Sequence, residues 1–155
     1  MKKYFFIIFI SLALMQGAIG QNHKQVVSDI DKIIQEIKKN NTSFQKIEKL
    51  KDSTGYRYLY LKGDDLQLVR VFFKDEHIDK KIEWYFSKGQ LIYSQQIWKD
   101  NTTGKTIDNQ KCYLNNEQLI TWIKSGSAVD PSTKEFKEVS AGLSAYASKM
   151  KTAIK

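Results

Sequence analysis

The sequence predicts an α+β domain: an antiparallel β-meander of about six strands flanked by N-terminal and C-terminal amphipathic helices. Apolar residues recur at steps of three and four near both ends of the chain, as on one stripe of a helix. Between them the period falls to two, in segments rich in aromatic and β-branched residues, which suits half-buried strands. A heptapeptide opening with Tyr and closing with Leu also occurs three times: "YLKGDDL" at 60–66, "YFSKGQL" at 85–91 and "YLNNEQL" at 113–119. Recurrence of this kind marks a repeated supersecondary unit.

The first twenty residues stand outside the domain. Lys2 and Lys3 precede an apolar run from Tyr4 to Met15, followed by Gly17-Ala18-Ile19-Gly20. This is the layout of a secretory signal peptide, with cleavage expected after Gly20. The run is shorter than the roughly 20 apolar residues that span a bilayer, so no membrane span is expected once the signal is removed. Residues 21–155 then form a single domain, exported to the periplasm or the extracellular space. Without Lys2 and Lys3 the 25 basic residues become 23, which against 17 acidic ones leaves a net charge of +6. The lysines are spread along the chain and form no block, so the charge reads first as solubility. An exported protein meets little nucleic acid, and none is expected as a partner; anionic envelope polymers or lipid headgroups are the counter-charge at hand.

A helix is predicted over 24–39, where Val26, Val27, Ile30, Ile33, Ile34 and Ile37 share one stripe. Asn40 to Ser43 are poor helix formers and end it. The meander is predicted over 44–124. Its first segment, Phe44 to Leu50, fits either a short edge strand or a helical turn. "YRYLYL" (56–61) places Tyr56, Tyr58 and Tyr60 on one face, whereas "LQLVRVFF" (66–73) is apolar on both, as a doubly covered strand is. "IDKKIEWYF", "LIYSQQIW", "TIDNQKCYL" and "LITWI" follow as strands. The centres of the three heptapeptides, with Gly63, Gly89 and Asn115-Asn116, supply tight hairpin turns. "NNEQLITWI" could also begin a helix, but Thr121-Trp122-Ile123 favours strand. The last helix is predicted over 132–154, entered through Asp130-Pro131 and a Ser132/Glu135 capping box. Both helices are expected on one face of the sheet.

The segment "EWYFSKGQLIYSQQIWKDNTTGK" (83–105) resembles one unit of the MORN repeat variant of bacterial proteins, through Tyr85-Phe86, Gly89, Leu91, Lys99-Asp100 and Gly104. The chain as a whole resembles small exported proteins of Bacteroidetes-type bacteria. The repeat implies hairpin architecture and carries over no catalytic residue.

Chemistry-bearing patterns are sparse. His23 and His77 are the two histidines, and neither accompanies a nucleophile signature. Ser148 and Lys151 have the spacing of a Ser-Lys dyad but lack its companion motifs, and no phosphate or dinucleotide glycine loop occurs. No cofactor is expected. Asp75, Glu76, His77 and Asp79 match no defined metal loop. After cleavage, the new terminus Gln21-Asn22-His23 could offer an amine, two amides and an imidazole to Cu(II) or Ni(II), although N-terminal Gln cyclises readily. Cys112 is the single cysteine and excludes an internal disulfide; it is expected buried and inert. The remaining lead is aromatic: Tyr56, Tyr58, Tyr60, Tyr85, Tyr93, Trp98 and Trp122 would stack sugars or anchor a partner where exposed, and form core where buried. The function expected is a small exported, non-catalytic binding module with an envelope glycan or protein as partner; the alternative is a cell-envelope enzyme or metal-binding protein.

Overall fold

Eight strands, each antiparallel to the next, form one sheet in chain order, and a helix packs on each of its faces. The computed structural model describes the backbone of residues 3–51 and 55–153, and the side chains of 22–48 and 55–150. The elements are α1 (Lys3–Asn40), a 3₁₀ turn at Asn41–Ser43, β1 (Gln45–Lys51), β2 (Gly55–Lys62), β3 (Asp65–Lys74), β4 (Ile78–Ser87), β5 (Gln90–Asp100), β6 (Thr106–Asn115), β7 (Gln118–Lys124), β8 (Ser127–Ala128) and α2 (Lys134–Ala153). Eight strands replace the expected six. The ambiguous segment after Phe44 is an edge strand, and a two-residue strand after Gly126 folds back on Ile123 and Lys124. The predicted helix over 24–39 is part of α1, which extends further toward the N-terminus. Ile154, the last residue of the predicted C-terminal helix, lies outside the described residues.

The entry to α2 differs from the predicted capping box by one residue. Phe136 N donates to Thr133 Oγ1 at 3.2 Å, so Thr133 is the N-cap. Asp130 Oδ1 instead accepts from Ser132 N at 2.8 Å, closing the turn that leads in. Glu135 is drawn to Lys124 of β7 at 2.8 Å.

The three heptapeptides share one pairing pattern, although only the first turn has a single positive-φ residue, Gly63. In each, two turn residues separate paired strand ends: Lys62 with Asp65, Ser87 with Gln90, and Asn115 with Gln118. Lys88 and Gly89 have φ of 50° and 71°, and Asn116 and Glu117 of 50° and 61°, as the favoured two-residue hairpin turns require. Each hairpin then carries a bulge at the same offset. Tyr60 faces Leu68 while Leu61 faces Leu66; Tyr85 faces Tyr93 while Phe86 faces Leu91; Tyr113 faces Thr121 while Leu114 faces Leu119. The extra residue, Gln67, Ile92 or Ile120, shifts the second strand by one, so that Leu68, Tyr93 or Thr121 comes opposite the repeat's Tyr on the face that Tyr occupies.

Those two faces are two cores. On one, Ile30, Ile34 and Ile37 of α1 bury against Tyr60, Leu68, Tyr85, Tyr93 and Tyr113. On the other, Phe136, Ala147 and Met150 of α2 bury against Leu59, Val69, Phe86, Leu91, Leu114 and Trp122. Each fully buried aliphatic side chain contributes about 1.5–3 kcal/mol before entropy is charged against it. The expectation that both helices share one face is therefore corrected. The central strands are apolar on both sides over half their length, and one helix could not cover both.

Candidate functional site

Cross-strand register sorts the α1 face into rows that run across the strands. The row under α1 is Tyr60, Leu68, Tyr85, Tyr93 and Tyr113. The next is Tyr58, Arg70, Glu83, Gln95 and Lys111, followed by Tyr56, Phe72, Lys81, Ile97 and Asn109. The last is Lys74, Asp79, Lys99 and Thr106. Among the described residues, α1 packs on the first row, Tyr58 and Ile123 of the second row join that core, and the last two rows lie outside it.

Over this bare end lies a groove of about 540 Å³, lined by Tyr56, Phe72 and Ile97 with Lys74, Lys81 and Lys99. Tyr56 and Phe72 are cross-strand partners with ring centroids 5.0 Å apart and planes at 39°. Tyr56 is 39 % exposed, so its ring is available to a ligand. Among the described residues no ion pair engages Lys74 or Lys99, although Asp79 lies between them in the register. Across β2 to β6 these rows hold five cations (Arg70, Lys74, Lys81, Lys99, Lys111) against two carboxylates, Glu83 and Asp79, and Glu48 of β1 adds a third carboxylate opposite Tyr58.

Between groove and helix sits a charged cluster. Glu83 is 2 % exposed; its Oε1 accepts from Arg70 Nε at 2.7 Å and its Oε2 from Tyr85 Oη at 3.3 Å. Lys81 Nζ lies 3.3 Å from Oε2 and so joins the cluster to the groove. Arg70 Nη1 also donates to Tyr60 Oη at 3.2 Å. Burial pushes the Glu83 carboxyl up, but Lys81 and Arg70 together outweigh it and hold the carboxyl below its ordinary range. Burial, and then the Glu83 charge, push the Tyr85 phenol well above its ordinary value. The cluster is thus an ionised carboxylate held by two cations, with a phenol that stays protonated.

The opposite face has a smaller groove of about 380 Å³ at the same end of the sheet, where Phe73, Ile82 and Trp98 line the floor. Lys80 Nζ lies 4.5 Å from the Trp98 ring centroid, so this cation is already held on an aromatic face. A third cavity, of about 800 Å³, lies between the end of α1 and the β2–β3 hairpin. It has no convergent aromatic pair.

The seven aromatic residues expected as a surface do not share one. Tyr60, Tyr85 and Tyr93 are core under α1, and Trp122 is core under α2 at 1 % exposure. They follow the doubly covered strands into the interior. Tyr58 is half-buried beneath Lys46, whose Nζ lies 3.6 Å from the ring centroid. Trp98 serves the opposite groove, which leaves Tyr56 alone at the larger one. No sequence pattern marks Phe72, Lys74, Lys81 or Ile97 as site residues, and Lys99 stands out only as a turn residue of the MORN-like segment. Their signal is positional: the register sets Phe72 opposite Tyr56 and Lys81 opposite Ile97.

Of the proposed terminal metal set, the side chain of Gln21 lies outside the described residues, while Asn22 and His23 are exposed on α1. Among the described residues no three His, Cys, Asp or Glu side chains converge as metal ligands do. Asp75 Oδ1 accepts from the backbone N of His77 and of Ile78, at 2.9 and 2.7 Å, which fixes the β3–β4 connection. Asp100 does the same for Thr102 and Thr103 at 3.0 and 2.7 Å. Cys112 is buried, and burial pushes its thiol up to about 12. No helix among the described residues is long and apolar enough to cross a membrane.

The fold and the groove together define an α+β protein with an open, cation-rimmed aromatic cleft on a sheet surface. No protein-family model, curated protein or solved structure matches the chain.

Proposed function

We propose that this chain is a small exported binding module, cleaved after Gly20, that acts without catalysis and holds an anionic ligand in the groove at the uncovered end of the α1 face. One observation carries the reading: Tyr56 and Phe72 form an accessible aromatic pair beside Lys74 and Lys99, neither of which is engaged in an ion pair among the described residues. An aromatic surface supplies contact area at low entropic cost, and unpaired lysines supply charge complementarity. The signal-like leader and the net positive charge of residues 21–155 support an envelope or extracellular setting.

Titration with anilinonaphthalene sulfonate, a planar apolar anion, tests the site. Saturable binding is expected, lost in Tyr56→Ala and weakened in Lys99→Glu. Binding that neither substitution changes would remove the groove from the proposal. Export is tested by the N-terminal mass of the protein from the envelope or medium fraction: Gln21, or its cyclised form, is expected first. Recovery of the chain with its leader intact refutes the cleavage.

A further inference from the structure

The geometry points to a linear acidic glycan, a chain of linked uronate or sulfated sugar rings, as the occupant of the groove. The inference rests on the reading of that groove as a ligand site and adds the ligand's class. Lys74 of β3 and Lys99 of β5 share a row with Asp79 of β4 between them, which sets the two lysine backbones about 10 Å apart, two strand spacings. That is about the length of two linked sugar rings, so acidic groups on alternate rings of an extended chain can reach both cations. The parallel row holds the aromatic pair Tyr56 and Phe72, then Lys81, Ile97 and Asn109. A polymer lying across the strands therefore meets lysines along one edge and a ring-stacking surface beneath it.

The polar neighbours suit hydroxyl groups. Gln95 Nε2 donates to Asn109 Oδ1 at 3.2 Å, which fixes both amides and leaves an acceptor on Gln95 and a donor on Asn109 for a ligand. An acyl chain is served poorly here, because the groove is a trough on a sheet surface and the apolar strip is interrupted by Lys81. Asp79 contributes to selectivity: set between the two lysines, it disfavours a densely charged ligand with an acidic group at every ring. Charge spaced at alternate rings, as in many mixed acidic polysaccharides, avoids that repulsion.

The experiment uses the mature protein and displacement of anilinonaphthalene sulfonate. Oligogalacturonate, a sulfated disaccharide-repeat oligomer, the methyl-esterified oligogalacturonate and phosphatidylglycerol vesicles are each added as competitor. An acidic oligosaccharide is expected to displace the dye, with the esterified form about tenfold weaker, as the loss of charge-assisted hydrogen bonds predicts. The Lys74→Glu/Lys99→Glu double variant, whose folding is checked by circular dichroism, is expected to lose glycan displacement. Asp79→Asn is expected to improve oligogalacturonate more than the disaccharide-repeat oligomer. Dye binding at the groove without displacement by either acidic glycan overturns the inference and leaves the groove reading standing. Displacement by vesicles alone assigns the groove to a lipid surface and likewise overturns it. Absence of dye binding removes the groove reading itself.

Discussion

Replacing Glu83 by Gln removes one negative charge from the cluster beneath the groove and changes almost nothing in shape. Glu83 is buried, accepts from Arg70 at 2.7 Å and from Tyr85 at 3.3 Å, and pairs with Lys81 at 3.3 Å. Gln retains one acceptor and adds a donor, so either Arg70 or Lys81 must face an N–H. Breaking a fully buried pair costs about 3–5 kcal/mol. The Arg70 and Lys81 side chains are 22 % and 37 % exposed, and water recovers part of that, so the expected loss at pH 7 is about 2–3 kcal/mol. For a chain of this length that corresponds to a Tm lower by about 4–12 °C. The sign with pH is definite. The folded carboxyl lies below its ordinary 4.5, so its contribution is complete above that value and is lost as pH falls through the folded one. Urea unfolding of both proteins at neutral pH and at successively lower pH should show the difference shrinking once pH falls below 4.5. Equal stability at pH 7, or a gap that persists unchanged at the lowest pH where both still fold, would refute the reasoning.

Thr133→Ala should cost about 1 kcal/mol as a lost N-cap, whereas Ser132→Ala should stay within about 0.5 kcal/mol. The reverse order in denaturant unfolding restores the predicted capping box. Cys112 should resist a disulfide reagent in the native protein and react fully in denaturant, since its thiol is buried and its pKa pushed up to about 12; rapid native labelling contradicts the burial.

The hairpins were readable because their determinants are local. Gly63, Gly89 and Asn116 supply the backbone freedom that tight turns need, and period-two runs mark the strands on either side. The helices were readable from stripes such as Ile30, Ile34 and Ile37. Placing the helices required information that is not local. "LQLVRVFF" already showed a strand covered on both sides, and two helices on opposite faces are what satisfies it. The aromatic row misled because Tyr56, Tyr58 and Tyr60 share a face while lying at different depths under α1, from 39 % exposure at Tyr56 to 8 % at Tyr60. Where a helix stops along a strand depends on packing across five strands. The groove's remaining residues follow from that limit, and no motif announces them.

The sequential order of the strands also bears on the order of assembly. Each hairpin closes a short loop, so the sheet can grow from neighbouring contacts at little entropic cost. Helix α1 is different. Its seat is spread from Tyr60 to Tyr113, and Tyr113 Oη donates to Asp31 Oδ1 at 3.1 Å across 82 residues of chain. The complete seat of α1 therefore exists only once β6 has joined the sheet. A sheet without α1 seated on it would present that tyrosine layer to solvent, the kind of exposed apolar surface through which chains misassociate.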